Sequence, residues 1–277
     1  MTQTTSHSHR ELELLDALRR LGGSARSAEL ARVLNVSEET VRRVIKSLSK
    51  TGSVERVHGG AYLVGGAGDP SFFQRMAHHP EEKRQIAKQV ARQIHDNMTV
   101  FLDVGSTTAF VAERLRKHTG LTVVTNSIGI AQTMLGTPDN RVHFLGGEMK
   151  SDERGTFGAV AERQARRFVF DLSVLSVDGL SSKRGFLFAN PVEAALSEVV
   201  AECSDRVVVG LDHNKYGAKA PHRGMDPHAI DLLVSDQPPD ADMTRALNAW
   251  GVEVMIAPPG KNAGKAAAKA VKEEGVS

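Results

Sequence analysis

Seven short apolar runs, at positions 100–104, 121–125, 142–145, 172–177, 207–211, 232–235 and 252–256, constrain the fold of this chain more than any other feature. Each ends in a polar or glycine-rich turn and leads into a helical stretch. Several, such as Val207-Val208-Val209-Gly210-Leu211, are continuously apolar rather than alternating, the pattern of strands buried on both faces. Strand, turn and helix repeated in this way build a mainly parallel α/β sheet. Ligands on such sheets bind beyond the carboxyl ends of the strands, so the turns after the runs are where a site is expected.

Five of those turns carry candidate residues. Asp103-Val104-Gly105-Ser106-Thr107-Thr108 leaves a strand and enters a helix, so backbone N–H groups and hydroxyls converge on an anion position suited to phosphate. Asn126 and Ser127 bring further donors after the second run. Gly146-Gly147 ends the third with no side chain to obstruct a ligand. Asp178-Gly179 ends the fourth, and Asp212-His213-Asn214-Lys215 ends the fifth with one candidate cation, Lys215. Taken singly, each has a structural alternative: an N-cap, a plain turn, a loop cap, a surface lysine. Their coincidence at one end of one sheet favours a ligand site.

The first 64 residues follow a different pattern. Leu14, Leu15, Leu18 and Leu21 form a short helical stripe, and residues 27–34 make a second helix for which Ser27 is the expected N-cap. After a three-residue turn, Ser37 caps a third helix with Glu38 and Glu39 in its first turn and Gly52 past its end. Val41, Val44, Ile45 and Leu48 form its buried stripe. Ser37, Thr40, Arg42, Arg43 and Lys46 are left on or beside an outward, basic face. Two short helices joined by so tight a turn describe a helix-turn-helix, whose second member lies in the major groove. Strand-like runs at 53–57 and 61–64 around His58-Gly59-Gly60 predict a hairpin wing carrying Arg56 and His58.

These residues resemble the DNA-binding domain of the DeoR family of bacterial transcription regulators. The resemblance rests on Thr40-Val41-Arg42-Arg43, on Gly52 and on Arg56-Val57-His58-Gly59-Gly60-Ala61; Val44 and Ile45 stand where the family usually has an acid and a leucine. From about Glu82 to Pro258 the chain is similar to the DeoR-type sensor domain, related to ribose-phosphate isomerase and CoA-transferase-like folds. The family motifs appear at 103–107, 125–127, 146–147, 178–179 and 212–215, with Asn214 in place of the usual serine or threonine. Glu193, following Asn190-Pro191, matches a family acid in the sugar-facing part of the site, whereas a lysine common shortly after it is missing. The resemblance implies a phosphorylated sugar or related metabolite as effector.

Composition limits the alternatives. The single cysteine, Cys203, cannot form an internal disulfide and no thiol cluster has metal spacing, so neither metal nor cofactor is expected and a reducing cytoplasm is the expected setting. No stretch approaches a membrane span. The formal charge of the whole chain is only +2, yet residues 1–68 hold ten Lys or Arg against seven Asp or Glu, which puts the positive excess in the small domain. The Gly- and Pro-containing run at 65–70 marks a linker.

The expected organisation is an α/β protein with a winged helix-turn-helix at 1–64, a linker at 65–80, a larger, mainly parallel effector-binding domain at 81–258 and a disordered basic tail at 259–277. The expected function is a transcriptional repressor that binds operator DNA as a homo-oligomer, dimer or tetramer, under control of a phosphorylated sugar. The alternative is a sugar-phosphate isomerase or transferase-like enzyme with an appended helix-turn-helix, using Asp103, Asp178, Glu193 and Lys215 as acids and bases. A dinucleotide-binding redox sensor is disfavoured, since no G-x-G-x-x-G follows any run.

Overall fold

Leu14, Leu18, Leu30, Val41, Ile45 and Leu48 recur at helical spacing and close a small core in the first of two compact units of the computed structural model. The structure describes residues 8–20, 24–57, 59–63, 72–137, 139–150 and 153–260. Apart from 151–153, grouped with the first unit, the division falls between His78 and His79. The expected basic tail beyond Gly260 and the glycine-rich part of the expected linker lie outside the described residues.

The first unit comprises α1 (His9–Arg20), β1 (Ser24–Arg26), α2 (Ser27–Leu34), α3 (Glu38–Lys50), β2 (Val54–Val57), β3 (Gly60–Leu63) and α4 (Phe72–Ala77). The two wing strands expected from the sequence form an antiparallel pair, and β1 adds a third, giving the order β1-β3-β2. Gly60 makes that addition possible: a Cβ there would lie 2.2 Å from the Ala25 carbonyl oxygen. Asn35 ends α2 in the left-handed conformation, φ 51°, turning the chain into α3. Ser27 does not cap α2 as expected. It is the buried first helical residue, its N–H donating to Gly59 O at 2.7 Å, while Arg26 occupies the cap position. Residues 72–77 of the expected linker are helical and pack against β1 and β2, with Phe72 buried.

The second unit opens with α5 (Pro80–Ala91) and continues through β4 (Thr99–Leu102), α6 (Ser106–Leu115), β5 (Thr122–Thr125), α7 (Ile128–Met134), β6 (Arg141–Phe144), β7 (Glu148–Lys150) and β8 (Gly155–Phe157). It is completed by α8 (Ala159–Ala165), β9 (Leu172–Leu175), β10 (Gly179–Ser181), β11 (Gly185–Phe188), α9 (Pro191–Glu202), β12 (Val207–Leu211), β13 (His222–Arg223), β14 (Leu232–Ser235), α10 (Ala241–Trp250) and β15 (Glu253–Ile256).

All seven apolar runs are strands of one sheet, ordered β15-β14-β12-β9-β4-β5-β6, and every neighbouring pair is parallel. One face packs on α8, α9 and α10 through Phe101, Val209, Ala161, Val200 and Leu247. On the other, Gly210 of β12 leaves room for α5 and α6: a Cβ there would come within 3.1 Å of Thr107 and 3.3 Å of Ile86. Ile94 is buried just beyond the end of α5.

The strand order sets the position of the site. The chain lays β4, β5 and β6 outward in one direction, then returns to place β9 beside β4 and continues through β12, β14 and β15 in the other. The loops leaving β4 and β9 therefore diverge, and the crevice between their carboxyl ends is the topological switch point.

Candidate functional site

Each unit holds one candidate site, and the first is a nucleic-acid interface on α3. Ser37 caps the helix, its Oγ accepting from the Thr40 N–H at 3.2 Å and lying 2.9 Å from Thr40 Oγ1. Val41, Ile45 and Leu48 are buried and Val44 packs beside them. That registration turns Arg42, Arg43 and Lys46 outward, all exposed. The cations differ in their engagement. Arg42 is held by Glu38 at 2.9 Å and by Glu39 at 3.7 Å, whereas neither Arg43 nor Lys46 has an ion-pair partner among the described residues. In the wing, Arg56 is exposed on β2. His58 lies outside the described residues.

The second site is built at the switch point. Asp103, just past β4, is half-buried, and its carboxylate spans the crevice. One oxygen accepts from the Gly105 N–H at 2.9 Å and the Thr108 hydroxyl at 2.8 Å; the other accepts from Ser176, past β9, through its N–H at 2.6 Å and its hydroxyl at 2.9 Å. Burial raises the Asp103 carboxyl above the ordinary aspartate value, and these donors pull against that shift. Gly105 is required by proximity, not by φ: a Cβ there would lie 1.9 Å from Ser176 Oγ. Asp103, Gly105 and Thr108 therefore fix the two loops to each other.

The same clamp presents the start of α6. Gly105 occupies its N-cap without a side-chain cap, leaving the first-turn N–H groups uncapped. Ser106 and Thr107 are buried, and neither hydroxyl is hydrogen-bonded among the described residues. The cations are on neighbouring elements. Lys215 Nζ lies 3.9 Å from Asp178 Oδ1, and Lys83 Nζ, on the first turn of α5, lies 3.9 Å from Asp212 Oδ2. Asp178 Oδ2 accepts from the Ala189 N–H at 2.8 Å, tying the β9 loop to the start of α9, where Glu193 sits in the first turn with Oε1 buried. A helix N-terminus, hydroxyls and ammonium groups on neighbouring elements are the components from which an anion site is built.

The remaining expected residues, Asn126, Ser127, Gly146 and Gly147, also take part in local hydrogen bonding and packing. Thr156 of β8 covers the ends of β5 and β6, its N–H donating to Asn126 O at 2.9 Å and its hydroxyl to Leu145 O at 2.5 Å, while Asn126 Nδ2 donates to Thr156 O at 3.1 Å. Ser127 caps α7. Gly146 donates its N–H to Gln164 Oε1 at 2.6 Å, and Gly147, at φ 134°, gives room to Phe157 O, which a Cβ would approach to 2.4 Å. The glycine pair thus lets β8 pack closely against this turn, with Gly147 itself exposed.

Four residues of this end were not singled out from the sequence. Lys83 had a signal, being a cation three residues before Ile86 and seven before Val90 on a buried stripe, and its exposure is only 3%. Ser176 had none. The His213–Asp236 pair, with Nδ1 to Oδ2 at 2.7 Å and the His213 N–H to Oδ1 at 2.7 Å, joins the ends of β12 and β14 through residues 23 apart in sequence that meet only in the sheet. Among the described residues, no group of three or more His, Cys, Asp or Glu is arranged to hold a metal, and no helix is long and apolar enough to cross a membrane.

Comparison with known proteins follows the same two-part division. Residues 10–65 match the DeoR-like helix-turn-helix domain and residues 78–237 the DeoR C-terminal sensor domain. The glycerol-3-phosphate regulon repressor of Escherichia coli (strain K12) is 31% identical over 234 residues, 84% of this chain and 93% of its own length. The HTH-type transcriptional repressor CsqR of the same strain is 31% identical over 257 residues, 92% and 97% of the two chains. The HTH-type transcriptional regulator GlpR of Haloferax volcanii is 32% identical over 223 residues, 80% and 87%. Among solved structures, ribose 5-phosphate isomerase A of Methanocaldococcus jannaschii aligns at TM-score 0.37 and 14% identity, over 50% of this chain and 54% of its own. The translation initiation factor eIF-2B of Pyrococcus horikoshii OT3 aligns at TM-score 0.39 and 14% identity, over 79% and 82%.

Proposed function

This chain belongs to the DeoR family of DNA-binding transcription regulators, and from that premise we propose that its second unit senses a phosphorylated sugar or related metabolite at the α6 N-terminus. The observation that carries the reading is the uncapped first turn of α6, with the Ser106 and Thr107 hydroxyls, at the switch point of a parallel sheet that also brings in Lys83 and Lys215. The phosphate takes the helix N-terminus and the ammonium groups, while Asp178 and Glu193 accept from sugar hydroxyls. One relative is the glycerol-3-phosphate regulon repressor of Escherichia coli, which supports this effector class.

The site binds and does not turn over its ligand. Asp103, the carboxylate closest to the α6 N-terminus in sequence, has both oxygens engaged by backbone and hydroxyl donors, so it serves as a clamp between the loops. Arg43, Lys46 and Arg56 hold operator DNA, with Arg42 joining once it releases Glu38. The protein acts as a repressor and binds as an even oligomer, because a helix-turn-helix reads half-sites related by symmetry. The effector controls repression by binding more tightly to the state with weaker DNA affinity; equal affinity for both states would shift nothing.

The test combines a thermal-shift panel that includes glycerol-3-phosphate and hexose phosphates with operator binding by fluorescence anisotropy. A phosphorylated ligand is expected to raise the melting temperature and change DNA affinity, with NMR showing no conversion of that ligand. Ser106→Glu is expected to abolish the response and leave DNA affinity intact. A full response in Ser106→Glu would overturn the assigned pocket, and steady conversion of the ligand would overturn binding without turnover.

A further inference from the structure

The loop that leaves β12 has more attachments than its sheet needs. The β12–β14 ladder ends at Leu211 and Ser235. Just beyond it, the His213 N–H and Nδ1 each lie 2.7 Å from the Asp236 carboxylate, one on each oxygen. The Asp236 side chain is only 8% exposed and that of His213 31%. Tyr216 adds a second tie, its hydroxyl donating to Gln237 O at 3.3 Å, and on the other flank Gly217 donates its N–H to Leu180 O at 2.8 Å. A carboxylate taken out of water requires such donors, whereas strand pairing does not require the carboxylate. What the pair holds is the loop itself, residues 212–215.

That loop and the start of α5 carry both cations of this end of the sheet. Lys215 follows His213 by two residues. Asp212 precedes it, with Oδ1 accepting from the Asn214 N–H at 3.2 Å and from Asn214 Nδ2 at 3.0 Å, so that Oδ2 is the oxygen facing Lys83 Nζ at 3.9 Å. Asn214, where a serine or threonine is usual, thus closes the turn with its own side chain. Lys83 depends on the same place: its N–H donates to His79 O at 3.1 Å, and the His79 ring meets that of His213 edge-on at 5.7 Å. His79 has φ 51°, a left-handed conformation that a residue with a Cβ keeps only where its surroundings hold it. Asp236 fixes His213, His213 backs His79, and each histidine is a short step along the chain from an ammonium group.

We propose that Asp236 and His213 are positioning residues for the effector phosphate, acting through Lys215 and Lys83 rather than by touching the ligand. This rests on the phosphate-site reading above and adds to it the residues that keep its cations in place. Placement matters because a lysine loses rotamer freedom when it engages an anion, and a loop ordered beforehand has less left to lose.

Calorimetric titration of the full-length protein with inorganic phosphate tests the assignment. Wild type is expected to bind phosphate saturably. His213→Ala and Asp236→Ala are each expected to weaken that binding about tenfold, the equivalent of one lost hydrogen bond. The double variant is expected to lose no more than either alone, since the two act as one pair. His213→Asn, whose amide can still donate to Asp236, is expected to stay within about threefold of wild type. In a Lys215→Ala background His213→Ala is expected to cost clearly less than in wild type, because part of what it positions is gone. Operator affinity without phosphate and far-UV circular dichroism are expected to be unchanged throughout. Where alanine unfolds the protein, His213→Gln, which carries its amide one carbon further from the chain, replaces it with the same expectation. Wild-type affinity in His213→Ala or His213→Gln, or an equal loss with and without Lys215, would overturn the positioning role alone. No phosphate binding by wild type would end the phosphate-site reading and this role with it.

Discussion

At the scale of single residues, the second unit depends on the contact between Asp103 and Ser176. The two loops that diverge from the switch point are fastened by one carboxylate whose four acceptor contacts run from 2.6 to 2.9 Å. Gly105→Ala is expected to cost about 1–3 kcal/mol, since the new methyl meets Ser176 Oγ and Cβ and forces the clamp apart. Chemical denaturation of the variant measures this, and unchanged stability would show that Ser176 moves aside freely.

Asp103 also gives a pH dependence with a defined sign. Burial raises its carboxyl above 3.8, so the folded protein keeps the proton to higher pH than the unfolded chain does. The stability this contributes is complete below 3.8 and declines as pH rises through the raised value. Denaturation across an acidic pH series should therefore show wild type losing stability relative to Asp103→Asn as pH rises. The reverse trend would mean that the four donors outweigh burial.

At the scale of elements, α3 joins a buried stripe to a face of unequal cations. Ser37→Ala removes the acceptor of the Thr40 N–H and is expected to destabilise the first unit by about 1 kcal/mol, read by thermal unfolding. Arg43→Ala should weaken operator binding by about 1–3 kcal/mol if Arg43 reads a base, or lower the salt slope by about one if it holds a phosphate. Arg42→Ala should cost less, because DNA must first take Arg42 from its pair with Glu38. Anisotropy titrations over a range of salt separate these outcomes; equal losses for the two arginines would contradict the difference in their engagement.

At the scale of the whole molecule, sensing and DNA binding are linked only through the relative affinity of the effector for two states. An effector at 100 times its dissociation constant is expected to add about 2.7 kcal/mol to the stability of the state it binds. A tenfold change in operator affinity requires about 1.4 kcal/mol of differential binding. Calorimetric titration of the effector onto free and operator-bound protein measures that difference directly. Identical constants in the two titrations would leave the effector without control of DNA binding.

The sequence by itself determined the seven sheet strands, the tight turn into α3 and the presence of a polar crown, because each is written in local pattern. A strand buried on both faces must be apolar throughout, a capped helix shows its cap and stripe, and an anion-binding turn shows glycine and hydroxyls. It did not reveal β1, β10, β11, β13 or the β7–β8 hairpin, whose two to four residues have too little periodicity to read. Only the tertiary structure decided which distant residues of this end of the sheet meet. Asp103 and Ser176 are 73 residues apart and meet because β9 returns beside β4, and Gly147 meets Phe157 because β8 packs against its turn. Lys83 was legible as a helix-start lysine. Its position beside Asp212, at the end of the sheet, follows from packing α5 over Gly210, a contact between distant segments that no local spacing encodes.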